Sequence, residues 1–331
     1  MRAWSVRGKV VNMTTSGALP VRSPVARRRV PEPSARRQRL RSDLAGLSPT
    51  LVLYGAFIVI PMFFALFLSF TNGDVIGKLH WAGFANWSRF FSDPGAHHSL
   101  VVTFELAGLS WVVQTPLSLA LGLFVAGGQR YRAFYSAVYV VPLLMSTAGL
   151  ALMWQGVLTP SFGGLASVAS SLHLNFLNRN WLGSPSLTFY VIVAIIAWQF
   201  APLHTLIYQG GRRAIPAELY DAAKVDGASI SQAFRHVTLP NLRYTIVTSS
   251  TLILVGSLTY FDIIYILTLG GPDNRTMVLA MDMYNVGFTE TTFGYAAVLA
   301  VVLGLIGVVF AVGLVRFTGF GTMRSNQEGI S

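Results

Sequence analysis

Six stretches of this chain are apolar over the ~20 residues that an α-helix needs to cross a bilayer. They fall near 48–70, 100–126, 134–157, 187–209, 245–269 and 294–317. In hydrocarbon every backbone N–H and C=O must find its partner inside the segment, so runs of this length read as helices. A membrane β-barrel would need ~10-residue strands of alternating polarity, and the sequence has none. Composition agrees: 53% of the 331 residues are hydrophobic and 11% charged, more apolar surface than one soluble core can hide. The expected fold is an all-α polytopic membrane protein with six transmembrane helices. A six-helix transmembrane domain over 48–318 would be flanked by a basic, disordered tail (1–47) and a short tail (319–331).

Lys and Arg set the expected orientation. Segments 1–47, 127–133, 210–244 and the C-terminal end (counted from Arg316) carry 11, 2, 5 and 2 of them, against 2, 1 and 1 in the three alternate loops. The positive-inside rule therefore places both termini and the loop 210–244 in the cytoplasm, and it still does so without the long tail. The net charge of +11 then reflects topology and not nucleic-acid binding. The cluster Arg27-Arg28-Arg29 with Arg36, Arg37, Arg39 and Arg41 suits a surface of anionic lipid. The first run is too long, and too far from residue 1, to read as a cleaved signal peptide.

Catalytic chemistry finds little support. With no cysteine there is no disulfide, zinc thiolate or cysteine nucleophile. His80, His97 and His98 lie in the first expected outer loop without metal-ligand spacing, and read as solvated. His204 and His236 are unpaired on the inner side. No phosphate-binding Gly-x-x-x-x-Gly-Lys-[Ser/Thr] occurs; Gly73-Asp-Val-Ile-Gly77-Lys78 lacks both spacing and hydroxyl. An intramembrane enzyme would need paired acid, base or nucleophile within helices, and only Glu105 and Asp262 are acids there, on different runs. A secondary transporter would show internal repeats and paired ion-binding acids, which are absent. The expectation is no catalytic residue, no metal and no cofactor on this chain; if the chain takes part in ATP-driven work, ATP and Mg are bound by another chain.

The loop 210–244 is unusual for a membrane protein. Pro216 suits a helix start, and Glu218 and Asp221 place negative charge near its positive end. Leu219, Ala222, Ala223 and Asp226 follow at helical spacing, giving a face with two methyl-sized side chains. Gly227 suits a left-handed C-terminal cap. Ser229-Ile-Ser-Gln232 reads as a capping box for a second helix ending before Pro240. By periodicity alone, an amphipathic helix lying against lipid is as good a reading as a docking element.

The string Glu218-Leu-Tyr-Asp221-Ala222-Ala223-Lys-Val-Asp226-Gly227-Ala228, with Phe234 and Thr238-Leu-Pro240, resembles the "EAA" loop of ABC importer permeases. Phe261-Asp262-Ile-Ile-Tyr265 through Gly270-Gly271-Pro272, Tyr284, and Gly294-Tyr295-Ala296-Ala297 are similar to the maltose, glycerol-phosphate and multiple-sugar class, in its larger-subunit branch. So is Trp81-Ala-Gly83-Phe-Ala-Asn86-Trp87. The resemblance covers about 48–318 and implies a MetI-like permease fold. It departs from the family at Asp221, where Glu is usual, at Tyr244, where a proline often stands, and at Glu105, where a neutral polar residue is usual.

The resemblance further implies a second permease subunit, an ABC ATPase dimer, an extracytoplasmic sugar-binding protein, and residence as a multi-pass protein of the bacterial inner membrane. The helix carrying Glu218, Leu219, Asp221, Ala222, Ala223, Asp226 and Gly227 would be the ATPase-coupling element. For the substrate path, Asp262 is an intramembrane acid one turn from Tyr265, and Trp198 lies midway along the fourth run; rings beside hydrogen-bonding groups suit sugars. Asp262 could equally brace the partner permease. Glu105 reads as solvated or gating. No run carries Lys or Arg before its last turn, which favours a neutral sugar over a phosphorylated polyol such as glycerol 3-phosphate.

Overall fold

Apolar helices dominate the computed structural model, which describes residues 46–73, 79–127, 130–160, 162–177 and 179–317. The expected basic tail lies outside the described residues except for its last two positions, and the C-terminal tail 319–331 lies outside them entirely. The chain divides into two units, Met1–Phe57 and Ile58–Ser331. The first contributes only the helical residues 46–57; the packed helices belong to the second.

Helix α1 spans Gly46–Leu68. A two-stranded antiparallel ribbon of β1 (Thr71–Asn72) and β2 (His80–Trp81) follows, then the short α2 (Ala85–Ser92). Next come α3 (Pro94–Val125), α4 (Arg130–Leu144), α5 (Thr147–Leu158), α6 (Gly164–Ser171) and α7 (Thr188–Arg213). A helical hairpin of α8 (Ala217–Val225) and α9 (Ile230–Ala233) leads through a π turn (Phe234–Thr238) into α10 (Leu239–Ser257) and α11 (Phe261–Thr268). The last described elements are α12 (Leu279–Tyr284), a π turn (Asn285–Thr289) and α13 (Phe293–Phe317).

Among the described residues four helices are long and apolar enough to span a membrane singly: Gly46–Leu68, Pro94–Val125, Thr188–Arg213 and Phe293–Leu314. The third and fifth expected spans are broken. Phe134–Leu144 and Thr147–Leu158 meet at 97°, and Ile230–Ser257 meets Phe261–Thr268 at 46°. Pro142 removes a donor near the end of α4, and Ser146 takes an extended conformation to cap α5 through Gly149 N–H at 3.1 Å. At the second break the side chains of Ser257 and Thr259 bond back to Ile253 and Gly256 carbonyls instead of extending the helix.

Pro240 does not end the second hairpin helix as expected. The π turn bonds Leu239 N–H to Phe234 O, Pro240 falls in the first turn of α10, and Asn241 donates to the Val237 carbonyl at 2.7 Å. The second span also starts earlier than expected, at Pro94, because the Asp93 carboxylate caps Gly95 N–H at 2.8 Å. His97 and His98 therefore sit in the first turns of α3, not in a solvated loop, and His98 Nε2 meets Asn274 O at 3.0 Å.

α3 packs most extensively on α7. Water drives no helices together inside hydrocarbon, so close packing and interhelical hydrogen bonds must do it. One row of the buried residues of α3 is correspondingly small or polar (Ser99, Thr103, Ala107, Ser110, Gln114, Ser118 and Gly122), beside the larger Val102, Leu106 and Val125. Ser118 Oγ donates to Ala201 O at 3.1 Å. At Gly122 the backbones meet so closely that a Cβ would stand 2.6 Å from Tyr208 Cβ and 2.9 Å from Thr205 O. α10 joins this pair through Trp111 Nε1 to Ser250 Oγ at 2.8 Å and His204 Nδ1 to Ser249 Oγ at 3.1 Å, so His204 is paired, contrary to expectation.

At the other end of α3, the Asp93 carboxylate accepts from Tyr295 Oη at 2.7 Å and ties α3 to α13, with the Arg89 guanidinium 4.0 Å from the Tyr295 ring centre. Burial pushes the Asp93 carboxyl up, but hydrogen bonds from Tyr295 and two backbone N–H groups, with the Arg89 charge, outweigh it and hold the group below its usual range. Its contribution to stability is accordingly present above the ordinary carboxylate range and lost as pH falls through the depressed value.

Replacing Gly122 with Leu should force α3 off α7, at a cost of about 1–3 kcal/mol or more. Thermal unfolding of the purified complex in detergent should shift down by several degrees. An unchanged midpoint would mean the two backbones are not in close contact at this point.

Candidate functional site

The hairpin between α7 and α10 is built to hold its own shape. α8 begins after Pro216, which serves as the N-cap in an extended conformation, and Glu218 occupies the first turn. It ends in a Schellman motif: Ala228 N–H reaches Ala223 O at 2.9 Å and Gly227 N–H reaches Lys224 O at 3.0 Å. Gly227 takes φ +73°, with nothing within 4 Å of a would-be Cβ, so backbone conformation and not space requires glycine. The capping box of α9 is present as expected, with Gln232 N–H to Ser229 Oγ at 3.3 Å and Ser229 N–H to Gln232 Oε1 at 2.7 Å.

Tyr220, Arg212 and Gly211, to which the sequence reading gave no role, help tie the hairpin to the membrane helices. Tyr220 Oη and Thr238 Oγ1 lie 2.9 Å apart, and the Arg212 guanidinium packs 3.9 Å from the Tyr220 ring centre. Beneath them a Cβ at Gly211 would meet Thr245 Oγ1 at 2.6 Å and Leu242 Cδ2 at 2.9 Å, so the end of α7 and the start of α10 are in close contact. Ile215 and Thr238 are buried.

This clamp decides which side of α8 is free. Ala223 turns inward, half-buried, and shares a cavity of about 350 Å³ with Asp226, Gly227, Gln232, Ala233 and His236. Leu219 and Ala222 face outward with Val225, one helical turn apart. Val225 is 88% exposed and Ile230, at the start of α9, 92%. The two methyl groups expected on one face are therefore divided: Ala222 outside, Ala223 inside. Glu218 and Asp221 are exposed, and Asp221 pairs with Lys224 at 3.1 Å on the surface, a contact worth little by itself. The resulting patch is apolar at its centre and charged at its rim.

The three residues expected along a substrate path do not converge. Asp262 lies in the first turn of α11, just past the break in the fifth span, and lines a cavity of about 330 Å³. Thr147, His204, Thr259 and Tyr260 contribute its other polar groups, and Phe200 stacks on Tyr260 at 5.2 Å between centroids. Trp198 is on another side of α7. It makes an edge contact with Trp154 at 5.4 Å and lines a separate, mostly apolar cavity of about 580 Å³ with Leu117, Tyr139 and Pro202. Tyr265 packs with Phe261 and Tyr284, away from that cavity. Glu105 is exposed, as a solvated acid would be, and pairs with Arg275 at 3.0 Å. Phe200 and Tyr260 carried no signal beyond that of ordinary apolar positions; the break that turns them toward Asp262 exists only in three dimensions.

Residues 115–317 match the family of binding-protein-dependent transport system inner membrane components. A probable ABC transporter permease of Pyrococcus horikoshii is 34% identical, over 80% of this chain and 90% of its own length. The diacetylchitobiose uptake system permease of Streptomyces coelicolor is 30% identical, over 91% and 92%. The trehalose/maltose transport system permease of Thermococcus litoralis is 32% identical, over 72% and 82%. Among solved structures, a bacterial ABC transporter involved in import of the polysaccharide alginate superposes with a TM-score of 0.75 at 22% identity, covering 86% of this chain and 100% of that one, a likeness of fold. The chain belongs to the binding-protein-dependent transport system inner membrane component family, and is a multi-pass membrane protein of the MetI-like fold.

Proposed function

We propose that this chain is the permease subunit of an ABC importer for a sugar, forming half of the translocation path and taking its energy from ATP hydrolysed on a separate subunit. The observation that carries the reading is the α8–α9 hairpin. It satisfies its own backbone through a Schellman motif and a capping box, yet presents Leu219, Ala222, Val225 and Ile230 outward. Apolar side chains that a helix does not use for its own packing are available to another surface. The positive-inside distribution supports a cytoplasmic position for this face, on the side where an ATPase would act. An ATP-driven movement of the ATPase would pass through the hairpin to α7 and α10 as a rigid body, because the Tyr220–Thr238 and Gly211–Leu242 contacts join them. ATP drives the change only in so far as it binds the two transporter states with different free energies.

Relatives named for diacetylchitobiose and for trehalose and maltose support a sugar as substrate. The Asp262 cavity supports a neutral one: it offers a carboxylate, an imidazole, three hydroxyls and a stacked ring pair, with no Lys or Arg in its lining. Sugars carry hydroxyl rims and apolar C–H faces that fit such a mixture. A bacterial alginate transporter has been solved with a substrate-bound periplasmic protein. That supports a binding protein delivering substrate to the extracytoplasmic side, beside a second permease and an ATPase pair.

Ala222→Trp should overpack the docked face by about 1–3 kcal/mol, so ATPase co-purification should weaken by about 5- to 150-fold while the hairpin keeps its fold. Gly227→Val, straining the turn by about 1–2 kcal/mol, should lower both uptake and substrate-stimulated ATPase activity at normal membrane insertion. Stoichiometric ATPase with normal turnover in both variants would place the docking face elsewhere.

Asp262→Leu should lower sugar uptake by about 5- to 150-fold through an unpaired sugar hydroxyl, with basal ATPase activity retained. Loss of the partner permease from the purified variant would instead assign Asp262 to subunit packing.

A further inference from the structure

Three polar side chains that line the Asp262 cavity are each backed by a buried side chain from another helix. Gln199 of α7, 2% exposed, donates through Nε2 to Thr147 Oγ1 at 3.2 Å. Ser249 of α10 bonds His204 Nδ1 at 3.1 Å. Tyr260 has Gln114 of α3 beside its hydroxyl, with Ser257 of α10. This third backing differs from the other two. Gln114 is fully buried and does not line the cavity itself, yet neither atom of its amide makes a hydrogen bond to a described residue.

A buried carboxamide without partners has given up its hydration for nothing, and native structures seldom keep one. α3 satisfies such groups elsewhere. Of the polar residues in its buried row, Ser99 donates to Asp282, Thr103 accepts from the Leu279 N–H and Ser118 donates to the Ala201 carbonyl. Ser110 and Gln114, between them in the row, are the two without a bond, and Gln114 lies where the row passes Tyr260. Ser257 already donates to the Ile253 carbonyl, so the idle donor and acceptor beside the Tyr260 hydroxyl belong to Gln114. A carboxamide that offers both is the complement of a hydroxyl and not of an ion.

We propose that Gln114 is a positioning residue for the substrate: a sugar that enters the Asp262 cavity and bonds the Tyr260 hydroxyl draws that hydroxyl onto the Gln114 amide. The bond forms in the loaded state, so its free energy adds to substrate binding and not to the folding of the empty permease. Tyr260, stacked on Phe200, is then held between the sugar and the amide. On the reading of the chain as a sugar permease, Gln114 sets how strongly the cavity prefers a sugar with a hydroxyl at this point over one without.

The test uses proteoliposomes holding the full transporter with its binding protein, and maltose, trehalose and diacetylchitobiose as probes. Gln114→Met keeps the length of the side chain and removes its amide. It should lower uptake of the best-carried sugar by about 3- to 10-fold at normal subunit stoichiometry, and Gln114→Asn, whose amide is set back by one methylene, by less. Tyr260→Phe should lower uptake by at least as much. The double variant should be no slower than Tyr260→Phe alone, because Gln114 acts through that hydroxyl. Losses that multiply in the double variant would mean that Gln114 acts independently of Tyr260, and would overturn the proposal. So would unchanged uptake in Gln114→Met, or loss of the partner permease from it, either of which leaves the sugar reading standing. Wild-type uptake of none of the three sugars would count against the sugar reading and the role of Gln114 together.

Discussion

The approach of α3 to α7 at Gly122 is the contact on which the other features depend. Association inside a bilayer draws little on the hydrophobic effect, so two long helices need small residues and shared hydrogen bonds to stay together. Gly122 against Tyr208 and Thr205, with Ser118 on the Ala201 carbonyl, supplies both. That packing leaves other sides of α7 free. Phe200, Leu203 and His204 turn to the Asp262 cavity, while Trp198 turns to a separate apolar one. One helix thus sets the position of the carboxylate's surroundings and, through Gly211, of the hairpin.

The hairpin has the stiffness that the proposed coupling role requires. A nine-residue helix is marginal on its own. Here the C-terminal end is closed by a Schellman motif, the turn glycine takes the conformation that suits it best, and Tyr220 is held between Arg212 and Thr238. The backbone groups are satisfied internally, so the outward side chains are not needed to fold it. A stiff body with a free apolar face, joined to two membrane helices, is what a coupling element requires. The reading of this chain as a permease driven by a separate ATPase follows from that arrangement together with its family.

Much of this was legible in the residues. Apolar length located the four helices long enough to span singly and the two bent pairs, because the bilayer imposes a length no soluble helix must obey. The left-handed Gly227 and the Ser229 capping box were readable because local chemistry determines them. The breaks in the third and fifth spans were not, since Pro142 and Ser257 are compatible with a continuous apolar run until neighbouring helices are placed. The division of Ala222 from Ala223 was hidden for a related reason: adjacent residues both belong to a small face until Tyr220 fixes the helix rotation. Trp198 and Asp262 were grouped by membrane depth, and depth does not specify which side of a helix a residue occupies. Val225 and Ile230, the most exposed apolar residues of the hairpin, gave no signal in sequence because exposure is a tertiary property.

Because the chain contains no cysteine, a single Val225→Cys substitution gives a unique thiol on the proposed docking face. Its maleimide labelling rate, measured in the permease pair alone and in the complete complex, tests the central claim directly. The account predicts rapid labelling without the ATPase and at least roughly tenfold slower labelling once the ATPase is bound, as expected for a side chain buried at the centre of an interface. Equal rates in the two states would contradict it.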